Sequence, residues 1–174
     1  MKQRRNNLRS AQLKIIVHWQ KPIQLTKNKK VIVDPKELPE ELTKRPGVYF
    51  FSREYGDVRI PFYIGETLSI RDRLKSHLAS AKIADVLRGI DIPHAPQIKS
   101  GRRYFHYGYL NGNADRTLTK KRLHLTQLHL IRMAIEKNFP ILNSNLTTIK
   151  THRLEFTGSV SARSIYGKVA IVEA

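Results

Sequence analysis

Two tyrosines, an arginine and a histidine follow one another in the first half of the chain, as Tyr49, Tyr63, Arg73 and His77. Hydrolysis of a phosphodiester needs a base for water, a cation for the phosphate and, usually, a metal held by a carboxylate. Arginine suits the second task because its guanidinium is permanently charged and binds phosphate through two N–H groups. A tyrosine can act as the base only where its neighbours favour the phenolate, since its ordinary pKa is about 10. Each residue alone is explained by packing or a solvated surface, so the hypothesis rests on their shared order and spacing.

The elements that would position these residues are a β-hairpin and a helix. The stretches GVYFF and RIPFYIG are rich in aromatic and β-branched residues, and Gly56 lies in the polar stretch between them, which predicts two strands joined by a turn. The next stretch, TLSIRDRLKSHLAS, has apolar residues at every fourth position and is predicted to be an amphipathic helix. Arg73 and His77 are also four residues apart, so they share a face of that helix near the tyrosines.

A third strand and a long helix are predicted further along the chain. The stretch RYFHYGYL indicates the strand, and the helix is expected over about residues 118–137. The apolar stripe of this helix is interrupted by Gln127, which lies four residues after Leu123 and four before Ile131. Two β-like runs near the C-terminal end, RLEFTG and YGKVAIVEA, are expected to add strands or to cover an edge of the sheet.

The order of these residues resembles the signature of the GIY-YIG nuclease superfamily. GVY is followed by YIG, by Arg73 and by His77, and the later stretch QLHLIRMAIEKNFPILN resembles the helix of that family and its closing Pro-x-x-Asn. The similarity runs from Pro46 to Asn143, and the histidine resembles that of restriction-endonuclease-like members. It implies an α+β fold with a small three-stranded antiparallel sheet flanked by helices. It also implies a Mg²⁺- or Mn²⁺-dependent nuclease that acts on DNA.

The resemblance implies a role for each matching residue. Tyr49 would lie near the attacking water and act as the general base, and Tyr63 would position the water or the scissile phosphate. Arg73 would bind that phosphate and neutralise the charge that develops on it. His77 would form a hydrogen bond with a tyrosine and favour its phenolate, and Asn143 would close the site through hydrogen bonds.

One position departs from the family pattern. The metal-binding glutamate of the family is replaced by Gln127, whose neutral amide oxygen is a poorer Mg²⁺ ligand than a carboxylate. Glu136 would face the other side of the helix, and Asp115 and Glu155 could substitute only where the fold brings them in. Three explanations are open: a variant inactivated by exchange of Glu for Gln, a natural relative that binds DNA without cutting, or a different register with another ligand. A single Gln in the apolar stripe favours the first two explanations over a different register. The inactivated variant is slightly favoured, because the other five site residues are retained: Tyr49, Tyr63, Arg73, His77 and Asn143.

The charge of the chain favours a polyanionic partner. Thirty-two Lys and Arg residues against fourteen Asp and Glu give a formal net charge of +18, and each cation beside a phosphate releases condensed counterions. Double-stranded DNA is the expected partner, and an RNA-binding or ribosome-associated protein is the alternative that charge alone leaves open. The absence of cysteine excludes disulfides and cysteine-bearing zinc sites. The apolar run LKIIV is too short for a signal sequence or membrane span, so a cytoplasmic location, in a bacterial or phage-infected cell, is expected.

The chain is expected to comprise a basic arm with a lead-in strand (1–45), a nuclease core (46–146) and a β-like extension packed on the core (147–174). Such a compact, basic chain resembles a restriction endonuclease or a small phage or mobile-element nuclease. Cutting both DNA strands suggests a homodimer or two successive nicks. Contacts with DNA are predicted for several polar side chains, and each has a solvated surface position as its plain alternative. These candidates are Arg4, Arg5, Lys75, His94, Gln97, Lys99, Arg102, Arg103, Lys120, Lys121 and Arg122.

Overall fold

The structure is a computed structural model that describes residues 13–28, 30–89, 100–112, 114–143, 151–155 and 169–173. Within those residues it has an α+β arrangement of antiparallel sheets and helices. The strands, in chain order, are β1 (Val17–Trp19), β2 (Ile23–Gln24), β3 (Thr26–Lys27), β4 (Lys30–Val31), β5 (Gly47–Tyr55), β6 (Val58–Thr67), β7 (Arg102–Leu110), β8 (Thr151–Glu155) and β9 (Val169–Glu173). The helices are α1 (Ile70–Leu78), α2 (Ala81–Arg88) and α3 (Arg116–Glu136).

The central sheet has five strands in the described part of the chain, which corrects the expectation of three. The predicted hairpin is β5–β6, and the predicted third strand is β7, which pairs antiparallel with β5. Both β1 and β2 pair with the other edge of β7. That edge would otherwise present unpaired backbone N–H and C=O groups, and the segment before β3 covers them. Among the described strands, β6 forms the opposite edge of the sheet.

The two faces of the sheet bury side chains against different helices. On one face, Tyr49 and Phe51 of β5 pack in a cluster that includes residues of α1 and α2. On the other face, Val48 of β5 and Ile64 of β6 pack against α3. Successive side chains of a strand point to opposite faces, so the alternation of β5 divides its residues between two helical layers. The apolar stripes predicted for α1 and α3 are confirmed as buried or half-buried at Ile70, Leu74, Leu78, Leu123, Leu130, Ile131 and Ala134.

Helix α1 is fixed at its first turn. Ser69 caps the helix by accepting a hydrogen bond from the backbone N–H of Asp72, and the Asp72 carboxylate suits the positive end of the helix dipole. Arg71 donates hydrogen bonds to the backbone C=O groups of Pro39 and Leu42, at 2.8 and 3.0 Å. The loop before β5 is therefore tied to the helix that follows β6, which fixes α1 against the hairpin.

Two further pairs of strands lie outside the central sheet. Strand β3 pairs with β4, and β8 pairs with β9, both antiparallel. The described parts of the two C-terminal β-like runs therefore pair with each other. None of the helices in the described residues is long and apolar enough to cross a bilayer.

Candidate active site

The hydroxyl of Tyr49 and the imidazole of His77 are hydrogen-bonded. Tyr49 Oη lies 2.7 Å from His77 Nε2, and both side chains are buried. Tyr49 comes from β5, whereas His77 lies in the last turn of α1. The Tyr63 ring, from β6, stacks on the Tyr49 ring with centroids 6.4 Å apart and lies 5.4 Å from the His77 ring. Three of the predicted site residues therefore meet between the hairpin and α1.

Gly65 makes room for this arrangement. It lies directly opposite Tyr49 in the pairing of β5 with β6, and a Cβ atom at position 65 would clash with the ring and hydroxyl of Tyr49. Only glycine leaves that space open. The glycine of the YIG stretch thus determines where the tyrosine of the neighbouring strand can lie.

Burial controls the protonation of the Tyr49–His77 pair. It raises the pKa of Tyr49 well above the ordinary value, with Tyr63 adding to the rise and the Arg73 guanidinium opposing it. Burial, helped by the Arg73 charge, lowers the pKa of His77 from 6.5 to about 4, so the imidazole is neutral at pH 7. A neutral imidazole with an unprotonated Nε2 accepts the hydroxyl proton of Tyr49. The phenol therefore keeps its proton in the protein alone, in contrast to the expectation of a favoured phenolate.

Arg73 opens onto a basic cleft beside the edge strand β6. The cleft has a volume of about 630 Å³, and its walls come from the end of β6, from α1 and from the first half of α3. A cleft with several cationic side chains attracts polyanions and raises their local concentration. The lining residues are Glu66, Thr67, Leu68, Arg73, Lys120, Lys121, Leu123 and His124.

Asn143 and Gln127 both bind the outer edge of β6 at Ile64. The Asn143 side chain accepts a hydrogen bond from the Ile64 N–H at 3.0 Å and donates one to the Ile64 C=O at 2.6 Å. It thereby satisfies the edge as a neighbouring strand would. Gln127 Nε2 donates to the same C=O at 3.3 Å. The amide at the position of the family's glutamate is therefore engaged as a donor to the backbone.

A divalent cation would find one carboxylate among the described residues that line this cleft, that of Glu66. The described part of the chain contains no group of three His, Cys, Asp or Glu side chains that could hold a metal. Mg²⁺ does not require one, because it keeps several waters and is held by one or two carboxylates together with substrate phosphates. The Oε2 atom of Glu66 is buried and has no hydrogen-bond partner among the described residues. Among the described residues that line the cleft, Glu66 is therefore the one whose side chain offers an anionic oxygen.

The other candidate carboxylates lie elsewhere. Asp115 is the N-cap of α3 and accepts hydrogen bonds from the backbone N–H groups of Thr117 and Leu118, at 2.8 and 2.9 Å. Glu136 is exposed at the last residue of α3. Glu155 lies on β8, and its side chain is outside the described set. Neither Asp115 nor Glu136 lines the cleft.

Four of the predicted DNA contacts lie on the helices that border the cleft. Lys120 and Lys121 line it directly. Lys75 is exposed in the last turn of α1, two residues from Arg73, and Arg122 is half-buried on α3. The candidates outside the described residues are Arg4, Arg5, His94, Gln97 and Lys99.

Arg103 requires a correction of the predicted DNA surface. Its side chain is 1% exposed, and Nη1 donates to the backbone C=O groups of Ser100 and Gly101, at 3.0 and 3.1 Å. Burial lowers its pKa to about 10, so the group is still charged at pH 7. It holds the loop before β7 and does not reach a DNA surface. Its neighbour Arg102 is exposed and forms an ion pair with Glu54 at 3.0 Å.

The sequence patterns did not single out two residues of the cleft, Glu66 and His124. Glu66 follows YIG directly, and the alternation of a strand places it on the face opposite to that of Gly65. His124 lies three residues before Gln127, one turn away on the same face of α3. These spacings place each residue near a predicted site residue, but they do not show that Glu66 and His124 line one cleft.

The comparisons with known proteins leave this site without a family assignment. No protein-family model, no curated protein and no solved structure matches the chain. The interpretation of the cleft therefore rests on its residues and their geometry.

Proposed function

We propose that this protein hydrolyses phosphodiester bonds in DNA, as a metal-dependent endonuclease of the GIY-YIG type. The observation that carries the proposal is the meeting of the hydrogen-bonded Tyr49–His77 pair with Arg73 at the edge of a basic cleft. Arg73 lies close enough to influence the pKa of both Tyr49 and His77. A base, a proton relay and a fixed cation are the groups that hydrolysis of a phosphodiester requires from the protein.

The Tyr49–His77 pair would take the proton from the attacking water. The Tyr49 oxygen accepts a proton from water while its own hydroxyl proton moves along the 2.7 Å hydrogen bond to His77 Nε2. A buried phenolate then never has to exist as a separate species. A phosphate bound in the cleft raises the pKa of His77 from its low value, because a nearby negative charge favours the imidazolium.

Arg73 would bind the scissile phosphate and stabilise the charge on its oxygens in the transition state. A divalent cation, when bound, polarises the same phosphate and assists the leaving oxygen. Glu66 is the carboxylate that would hold it, as the fit of the cleft indicates. Lys120 and Lys121 would contact neighbouring phosphates of the DNA backbone.

A DNA-binding protein of the same fold that does not cut is the second candidate. Gln127 favours it, because a neutral amide bonded to the Ile64 backbone occupies the position of the family's metal ligand. The two candidates share the fold and the basic cleft, so only turnover separates them.

The test is incubation of supercoiled plasmid DNA with the protein in the presence of Mg²⁺, Mn²⁺ or EDTA, followed by gel electrophoresis. We expect metal-dependent conversion to nicked and linear forms by the wild type. Tyr49→Phe should bind a labelled duplex normally and show no turnover, whereas Tyr55→Phe, at an exposed tyrosine of the same strand, should cut as the wild type does. Discrete fragments would indicate restriction-type specificity.

Three results would contradict the proposal. Binding of duplex DNA without cleavage under any metal would favour the second candidate. Cleavage by Tyr49→Phe at the wild-type rate would remove Tyr49 from the mechanism. Ready displacement of duplex DNA by RNA would favour the RNA-binding alternative.

A further inference from the structure

Glu66 lies between the two helices that border the cleft. It is directly opposite Val48 on β5, and Val48 packs against Leu123 of α3. Side chains of paired strand residues share a face of the sheet, so the carboxylate points toward α3. Arg73 of α1 and His124 of α3 line the same cleft. Glu66 is therefore held at the sheet edge, where both helices approach.

One oxygen of this carboxylate is buried without a partner. Glu66 Oε2 has no hydrogen-bond partner, and Glu66 forms no ion pair, among the residues that the structure describes. Leaving a buried acceptor unsatisfied destabilises a protein, and more so when the group is charged. Such atoms are rare in native proteins and require an explanation, of which a bound ion is one. The oxygen thus indicates a ligand that completes it.

The helix position where a metal-binding glutamate is expected has another use in this protein. Gln127 Nε2 donates to the Ile64 backbone C=O at 3.3 Å. A carboxylate at position 127 would place two oxygens against each other, so an amide suits this contact and a glutamate does not. Among the described residues that line the cleft, the negative charge comes from β6 and not from α3.

We propose that Glu66 supplies the anionic oxygen that holds a divalent cation in the cleft, in place of residue 127. The inference rests on the proposed nuclease function, because the cation acts on a phosphate bound at Arg73. Mg²⁺ and Mn²⁺ take oxygen ligands, and Mg²⁺ keeps several waters and shares its site with substrate phosphates, so one carboxylate is sufficient. Lys120 and Lys121 then neutralise phosphates on either side, and the charge of the DNA offsets their repulsion of the cation.

The test is binding of Mn²⁺, measured from the electron paramagnetic resonance signal of the free ion, with and without a non-cleavable phosphorothioate duplex. The chains to compare are the wild type, Glu66→Gln, Gln127→Glu and a control, Glu136→Gln, which changes an exposed carboxylate. We expect the wild type and the control to bind equally. Glu66→Gln should bind at least about tenfold more weakly.

Thermal unfolding provides a second readout. Burial raises the pKa of Glu66, and only His124 opposes the rise, so the ionised carboxylate is costly to bury. Glu66→Gln removes this charge and keeps the shape of the side chain, so its melting temperature without metal should equal or exceed that of the wild type. With the phosphorothioate duplex bound, Mn²⁺ should raise the melting temperature of the wild type by mass action and leave that of Glu66→Gln almost unchanged. This comparison shows that a loss of binding is not a loss of folding.

Two outcomes would overturn the assignment of Glu66. One is a folded Glu66→Gln chain that binds Mn²⁺ as tightly as the wild type. The other is binding by Gln127→Glu and not by the wild type. If Glu66 binds Mn²⁺ but the wild type never cuts DNA, the metal site stands and the nuclease function fails. If the wild type cuts and Glu66→Gln binds Mn²⁺ normally, the function stands and this inference fails.

Discussion

The phenol of Tyr49 occupies the space in which a side chain at position 65 would lie. The two residues are directly opposite each other on β5 and β6, so strand pairing and ring position are coupled. The ring extends over Gly65, and its hydroxyl meets the imidazole of His77. The placement of the Tyr49–His77 pair therefore depends on a residue that has no side chain.

Gly65→Ala is expected to displace the Tyr49 ring and to lower the free energy of unfolding by about 1–3 kcal/mol, the usual effect of overpacking. Urea denaturation measures this change. In a double-mutant cycle, Tyr49→Ala leaves room for the added methyl group. The double variant should therefore lose about 0.5–3 kcal/mol less stability than the sum of the losses in the two single variants. Strict additivity would show that the ring and the methyl group do not compete for this space.

Arg73→Ala is expected to slow DNA cleavage by about a hundredfold or more, the scale for removal of one group that stabilises transition-state charge. The side chain is exposed, so the far-UV circular dichroism spectrum should be unchanged. Arg88→Ala, at an exposed arginine that ends α2, is the matched control. Single-turnover nicking of plasmid DNA gives the rates, and near-normal cleavage by the Arg73 variant would exclude it from the mechanism.

The free energy of unfolding is expected to fall as the pH is lowered from about 6.5 toward 4. Burial lowers the pKa of His77 and of His106 from 6.5 to about 4, helped by the charges of Arg73 and Arg59 respectively. Within that window the unfolded chain binds protons that the folded protein does not. Each histidine therefore contributes stability that is complete above pH 6.5 and is lost below it. The loss is at most about 1.4 kcal/mol per pH unit for His77, and less for half-buried His106, where solvent screens the charge.

Urea denaturation between pH 7 and pH 5 checks this pH dependence. His77→Gln and His106→Gln should each flatten the decline, because each removes one group that is protonated only after unfolding. His129→Gln, at an exposed histidine of α3, controls for the substitution itself. A decline as steep in both variants as in the wild type would assign the effect to other groups.

Asn143→Ala should leave the Ile64 N–H without its side-chain partner, and the Ile64 C=O with only the longer hydrogen bond from Gln127. We expect the free energy of unfolding to fall by about 1–3 kcal/mol. Asn143→Asp keeps an acceptor for the N–H but places a carboxylate against the C=O. We therefore expect hydrogen exchange of the Ile64 amide to be fast in the Ala variant and slow in the Asp variant. Equal exchange in the two variants would mean that the side chain does not protect this edge.

Lys120→Gln and Lys121→Gln should weaken the salt dependence of DNA binding. Each phosphate contact that is lost reduces the slope of log affinity against log salt by about 0.9. Lys27→Gln is the control, because Lys27 is exposed and lies far from the cleft. Its neighbour Thr26 accepts a hydrogen bond from the N–H of Arg103, at the other end of the sheet. Fluorescence anisotropy over a range of salt gives the slopes, and an unchanged slope in the double variant would exclude both lysines from the interface.

The hairpin, α1 and α3 could be predicted because their apolar patterns are long and regular. The sequence predicts a lead-in strand before residue 46, but not the two separate strands β1 and β2. These have three residues and two, too few for alternation to be recognised. They form only because β7 offers an edge. The basic neighbours of Arg103 predict a surface position for it. The two-residue period of β7, which buries Phe105 and Tyr107, instead places Arg103 on the buried face.

The spacing of Tyr49, Tyr63 and His77 predicted that they would meet, because the hairpin and α1 are adjacent in the chain. The role of Glu66 could not be predicted in the same way. Its burial depends on α3, and His124 is 58 positions further along the chain. A pattern in one segment does not show which distant segment will cover it.

The clamp of Asn143 on Ile64 joins residues that are 79 positions apart. During synthesis, Tyr49, Tyr63 and Arg73 are therefore added to the chain well before Asn143, whose side chain binds the outer edge of β6. A polypeptide that stops short of this asparagine would leave the N–H of Ile64, at the outer edge of β6, without its acceptor. Unpaired backbone groups at a sheet edge readily pair with an extended chain. We therefore expect shortened versions made in the laboratory to associate less when they retain Asn143, whose amide occupies the Ile64 backbone groups.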